Sequence, residues 1–269
     1  MKFTHLKAVI LDWAGTAVDH GSLAPVAALQ RVFAENGLAI TAAEARKDMG
    51  VLKKDQIRFI LAGDRVSREW TSLWGHAPSE EDVVKLFTEF LPKQAEILAQ
   101  FSEPIDGVPE TVASWKAAGL RIGSTTGYTR ELLDIVAAAA ALRGYAPEVS
   151  VTPDEVGAGR PAPFMCYRNA IALGVYPLSA FVKIGDTPSD IAEGRNAGMW
   201  TIAITRTGNE IGLTKHQWDQ LPPAGQKTLE LDAAVRLTAA GAQYVAGSLA
   251  ECTQFLEDID HRIAGGERP

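Results

Sequence analysis

Five short apolar runs of strand length punctuate the chain: AVILDW (8–13), LRIGSTT (120–126), FVKIGD (181–186), MWTIAIT (199–205) and AQYVAG (242–247). Between most of them lie segments of helical length, such as GVPETVASWKAAG (107–119) and PSDIAEGRNAG (188–198). Alternation of this kind predicts a doubly wound α/β fold built on a parallel sheet. Ligands of such folds sit beyond the carboxyl ends of the strands, so the residues that close each apolar run are the first to inspect.

Residues 22–100 break the rhythm. APVAALQRVFAENG, TAAEARKDMG, KDQIRFILAG and EDVVKLFTEFLPKQAEILAQF all have helical periodicity, with no strand among them. They predict an all-helical insertion: a core unit of 1–21 and 101–269, a helical cap unit of 22–100, and hinges near 20–23 and 100–106. Thr41 with Glu44 three places later forms a capping box that starts one cap helix, and Gly50 is expected to end it.

With 269 residues, 46% of them hydrophobic, the chain can bury a core and carry an insertion. Its net charge of -7, spread along the sequence, excludes a nucleic-acid footprint and means that a small anionic ligand needs a locally positive pocket. Cys166 and Cys252 match no metal or redox spacing and read as reduced thiols of a cytoplasmic protein. The opening MKFTHLKAVILDWAG reads as a strand rather than a secretion signal. No apolar run approaches the ~20 residues that cross a bilayer. The Pro-containing stretch 213–228 is expected to be a surface excursion without function.

Four places carry candidate chemistry. Asp12, at the end of the first run, can hold a divalent cation or attack phosphorus; it can equally cap the following turn. Asp186 and Asp190 follow a later run and can face the same cleft, a carboxylate set suited to Mg²⁺, or can instead cap and charge-match a helix start. The turn GSTTGYTR (123–130) offers a hydroxyl and backbone N–H groups to a phosphate. Arg160, followed by prolines in GAGRPAPFM, is either an oxyanion grip or a solvated surface residue.

The order of these features resembles the haloacid dehalogenase superfamily of phosphoryl-transfer enzymes, and the helical insertion resembles its cap domain. That resemblance implies Asp12 as nucleophile, Thr126 and Arg160 as phosphoryl-binding groups, and Asp186 as a Mg²⁺ ligand supported by Asp190. Phosphatases of the superfamily place a second Asp two residues after the nucleophile, where this chain has Ala14. A carbon leaving group needs an electron sink rather than that acid, and a lysine Schiff base supplies one. Lys53 and Lys54, in MGVLKKDQ, are the available amines.

DWAGT, ARKDMGVLK, GSTTGYTRE and EGRNAGMWT together resemble the phosphonatase family of that superfamily, which cleaves the phosphorus–carbon bond of phosphonoacetaldehyde. The likeness implies that Lys53 forms the imine, that Asp12 takes the phosphoryl group and that Ala14 offers its backbone carbonyl to Mg²⁺. It also places Met49, Gly50, Gly127 and Tyr128 around the substrate. One departure is Gln56, where the family commonly has a histidine; glutamine cannot shuttle protons, leaving water or Tyr128 to do so. The five histidines, at 5, 20, 76, 216 and 261, form no cluster. A homodimer is implied, with the segment REWTSLWGHA supplying exposed aromatics or, because Trp70 and Trp74 lie four apart, a helix core. Two other functions fit parts of the pattern: a phosphomonoesterase, and a non-catalytic phosphonate or phosphate sensor.

Overall fold

A computed structural model describes residues 2–269. Six strands, β1 (Ala8–Leu11), β2 (Arg121–Thr125), β3 (Val149–Val151), β4 (Phe181–Gly185), β5 (Trp200–Ile204) and β6 (Tyr244–Ala246), pair in parallel in the order β3-β2-β1-β4-β5-β6. The chain winds outward in both directions from the β1–β4 pair, where Leu11 lies opposite Ile184. Both carboxyl ends there open onto the topological switch point, the crevice that open α/β sheets use for ligands.

Period-two alternation sends Val9 and Leu11 to one face with Ile122, Val182 and Ile202, and Ala8 and Ile10 to the other with Cys166, Phe181 and Met199. Both faces are covered, which is why the central strands are mostly apolar, with Lys183 a buried exception in β4. The sequence reading missed β3: VSV is three residues long, only Val151 is buried, and no apolar run announces it.

Helices α1 (Leu23–Glu35), α2 (Ala42–Arg46), α3 (Lys53–Ala62), α4 (Asp64–Trp74) and α5 (Glu80–Leu98) follow β1 without an intervening strand and share their own apolar core, with Leu29, Phe33, Ile57, Trp70, Leu86 and Phe90 buried. They form the inserted helical cap. Seven further helices flank the sheet: α6 (Val108–Ala117), α7 (Arg130–Ala141), α8 (Phe164–Leu173), α9 (Pro188–Ala197), α10 (Lys215–Asp219), α11 (Pro223–Ala239) and α12 (Cys252–Ala264).

Three expectations change. The Thr41–Glu44 capping box is present, but α2 ends at Arg46, and Gly50 serves a later turn with φ +92°. Stretch 213–228 does lie at the surface, with only Trp218 buried, but it is more regular than expected, holding α10 and the start of α11. Trp70 is buried and stacks on Trp74 at 5.7 Å, so only Trp74 is exposed. Among the described residues no helix is long and apolar enough to cross a membrane.

Candidate active site

Asp12 leaves β1 with its amide still bonded to Ile184 O at 2.9 Å, so the first residue beyond the strand stays registered against β4. Asp186 leaves β4 at the same level, and its carboxylate accepts from Thr16 Oγ1 at 2.9 Å and Asn209 N at 2.8 Å. Asp190 lies on the first turn of α9, where it completes a capping box with Thr187. One oxygen from each of these three acids comes within 4.8 Å of the others, and all three side chains are buried. Asp190 thus combines an acidic place in the first turn of the helix with membership of the cluster, whereas the cap expected of Asp186 is supplied by Thr187.

Arg160 joins the cluster from a loop and is itself buried. Its Nη2 donates to Asp12 Oδ1 at 2.6 Å and to Thr125 Oγ1 at 2.8 Å, its Nη1 lies 3.0 Å from Asp190 Oδ1, and its Nε donates to Glu193 Oε2 at 2.9 Å. Lys183, buried in β4, lies 2.6 Å from Asp190. Burial opposes ionisation of Asp190, yet Arg160 and Lys183 hold it below the usual carboxylate range. Burial pushes Asp12 upward, with Arg160 opposing the shift. Asp186 is driven well up by burial and then by the nearby charges of Asp12 and Asp190.

Four buried carboxylates, Asp12, Asp186, Asp190 and Glu193, therefore face two buried cations, Arg160 and Lys183. When all are ionised, two negative charges remain without a counter-charge. An all-oxygen donor set with that surplus fits a hard divalent cation.

The cap supplies the amine. Lys53, on the first turn of α3, is 2% exposed, and its Nζ is met by Gln56 Oε1 at 2.7 Å and Met49 Sδ at 3.3 Å. Loss of water lowers its pKa to about 7, Asp12 partly offsetting the effect and Arg160 reinforcing it. Lys54 lies outside this enclosure. Lys53 shares a small pocket of about 20 Å³ with Asp12, Ala14, Met49, Gly50, Thr126, Gly127, Tyr128 and Arg160; Asp186 and Asp190 do not line it but cluster with Asp12. Thr126 Oγ1 accepts from Tyr128 N at 3.1 Å, which leaves its hydroxyl hydrogen free to donate. Burial keeps the Tyr128 phenol protonated, so this side chain is a donor rather than a base. No histidine lines the cavity among its described residues.

The profile of the haloacid dehalogenase-like hydrolase family matches residues 6–198. Phosphonoacetaldehyde hydrolase from Bacillus thuringiensis subsp. konkukian is 45% identical over 255 residues, 95% of this chain and 97% of that protein. The enzyme of the same name from Nitratidesulfovibrio vulgaris is 43% identical over 264 residues, 98% of this chain and 94% of its own. The chain belongs to the phosphonoacetaldehyde hydrolase family, within the haloacid dehalogenase-like hydrolases. In structure it is similar to a phosphonoacetaldehyde hydrolase-like protein from Oleispira antarctica, with a TM-score of 0.97, 38% identity, and coverage of 100% of this chain and 98% of that one.

Within this family member, sequence reasoning passed over Thr125, Lys183 and Glu193. Lys183 carries a readable signal, a lysine inside the apolar run FVKIGD that must find a buried partner. Glu193 lies three residues after Asp190 and so shares its helix face.

Proposed function

We propose that this hydrolase cleaves the phosphorus–carbon bond of phosphonoacetaldehyde to give acetaldehyde and phosphate, through a Lys53 imine and an Asp12 aspartyl phosphate. The observation that carries this reading is a buried amine with a pKa of about 7 sharing one cavity with Asp12 and Arg160, beside Ala14 where a leaving-group acid would otherwise stand. A lysine that is half neutral near pH 7 attacks an aldehyde far more readily than one with the ordinary value of about 10.4.

In the proposed sequence Lys53 adds to the aldehyde carbon and water leaves, giving a protonated imine. Arg160 and the Thr126 hydroxyl grip the phosphoryl oxygens, and an Asp12 oxygen attacks phosphorus. The electron pair of the breaking phosphorus–carbon bond passes into the imine, forming an enamine. That enamine takes a proton on carbon, and hydrolysis of the resulting imine releases acetaldehyde and frees Lys53. Water then attacks the aspartyl phosphate and phosphate departs. Mg²⁺ held by Asp12, Asp186 and the Ala14 carbonyl, with Asp190 in support, would supply the missing positive charge for two converging anions. Position 14 is alanine because nothing in this sequence protonates an oxygen leaving group.

The same reading divides the chain into a core of 1–21 and 101–269 and a cap of 22–100, and pairs two copies as a homodimer through the cap face carrying Leu73 and Trp74, which are 55% and 46% exposed. The decisive experiment follows phosphate and acetaldehyde from phosphonoacetaldehyde with Mg²⁺, beside a Lys53→Ala variant. Equal release of both products, abolished in the variant, is expected. Hydrolysis of simple phosphate esters that survives Lys53→Ala would make the protein a phosphomonoesterase, and saturable binding without turnover would make it a sensor.

A further inference from the structure

The buried amide of Gln56 touches a different partner at each end. Its Oε1 accepts from Lys53 Nζ at 2.7 Å, while its Nε2 donates to Ala45 O at 2.7 Å and, with its other hydrogen, to Met49 Sδ at 3.6 Å. Ala45 stands at the end of α2, where Met49 N turns back to Arg46 O at 3.0 Å, so the Ala45 carbonyl is a helix-end acceptor that Gln56 satisfies. A carbonyl only accepts, which fixes the NH₂ toward Ala45 and the oxygen toward Lys53. The flipped amide would set oxygen against oxygen and donors against an amine. Gln56 is fully buried, and no solvent competes for either end.

A neutral amine has two hydrogens and one lone pair. Gln56 Oε1 takes one hydrogen and Met49 Sδ, 3.3 Å away, takes the other. The remaining tetrahedral direction belongs to the lone pair, and the space that Lys53 borders is the cavity containing Asp12, Thr126 and Arg160. We propose that Gln56 is a positioning residue for Lys53: it draws one of the amine's hydrogens to the side away from the cavity, leaving the lone pair to face the aldehyde carbon, and it does so without titrating. A neutral histidine at 56 would hold the same two partners, but protonation near its ordinary pKa of about 6.5 makes both ring nitrogens donors and removes the acceptor from the amine. Glutamine keeps that acceptor at every working pH.

This inference rests on the imine reading, and the test separates the two. Full-length protein is mixed with phosphonoacetaldehyde and borohydride between about pH 5.5 and 9, and the rate of adduct formation on Lys53 is followed by mass spectrometry. Wild type is expected to show an acidic limb with one ionisation. Gln56→Leu slows trapping on the plateau about tenfold through loss of one buried acceptor. Gln56→Glu moves the limb up by about one pH unit or more, because a carboxylate beside the amine favours the ammonium form. Gln56→His makes the limb steeper, with a second proton entering near pH 6.5 or so. A purely structural role would lower unfolding midpoints and leave these profiles alone, so Glu and His variants whose profiles superimpose on wild type overturn the proposal. A folded wild-type protein that yields no Lys53 adduct strikes the imine reading itself, and this inference with it.

Discussion

Lys53 combines 2% exposure with a pKa lowered from 10.5 to about 7, and such a placement has a thermodynamic consequence. Between those values the unfolded chain carries a proton that the folded chain does not, so stability rises with pH across the window and is least at and below 7. The full linkage amounts to about 5 kcal/mol, reduced by the hydrogen bonds the amine makes. Lys53→Met should therefore be more stable than wild type at pH 7 by about 1–3 kcal/mol, after allowing for the acceptor left bare on Gln56. Urea unfolding at pH 7 and again near pH 10 or so checks this, the gain shrinking at the higher pH. No gain at pH 7 would mean that the amine is charged in the fold. Catalysis has the matching dependence: imine formation uses the neutral amine, so kcat/KM should fall about tenfold per unit below pH 7, with an apparent pKa near 7 in its acidic limb. A flat profile down to about pH 5 would contradict a catalytic Lys53.

The elements that carry the site were readable to different degrees, for physical reasons. β1 and β4 stand out because strands buried on both faces are largely apolar, Lys183 being the charged exception, and an acid that ends such a run needs an explanation. β3 escaped because an edge strand of three residues has little to bury. The turn after β2 was recognised as a phosphate-type loop, but not what lies above it. A Cβ at Gly127 would sit 2.8 Å from Val51 O and 3.1 Å from Gly50 O, so the loop at the carboxyl end of β2 and the turn before α3 nearly touch backbone to backbone. Two segments more than 70 residues apart in sequence make that contact, and no local pattern encodes it. Gly127→Ala should lower stability as well, even though its φ lies in ordinary territory, because a Cβ so close to two backbone carbonyls forces the cap off the core by several tenths of an ångström. A loss of about tenfold or more in kcat/KM is expected, in line with the cost of small misplacements at reacting centres. Faster amide exchange at residues 50–52 would accompany it; wild-type activity in this variant would show that the approach is not needed for turnover.

At the scale of the whole molecule, the pocket that Lys53 shares with Asp12 has a volume of about 20 Å³, little more than one water, so a substrate can enter only if the pocket widens. A larger cavity, about 750 Å³, lies elsewhere, along the crossing segments that include Leu23, Phe101 and Ile105. Arg46, at the end of α2, ties the cap to the core. Its guanidinium donates to Gly21 O at 2.8 Å, Asn209 Oδ1 at 3.1 Å and Gly212 O at 3.2 Å. Asn209 in turn gives its backbone N–H to Asp186, so the cap is joined to the acidic cluster through two residues. The sequence reading quoted Arg46 within ARKDMGVLK without a role for it, because its partners lie up to 166 positions away. If those bonds favour the closed form by about 2 kcal/mol, their removal lowers the closed-to-open ratio about thirtyfold. Arg46→Ala should then reduce kcat/KM by about that factor, mainly through KM, while Arg46→Lys, which lacks the planar fork, recovers only part. Steady-state kinetics on both variants checks the expectation. Kinetics unchanged from wild type would place the energy of closure in other contacts, such as the 3.4 Å approach of Arg160 Nη1 to Gly50 O, which joins the phosphoryl-binding loop to the turn that carries Lys53.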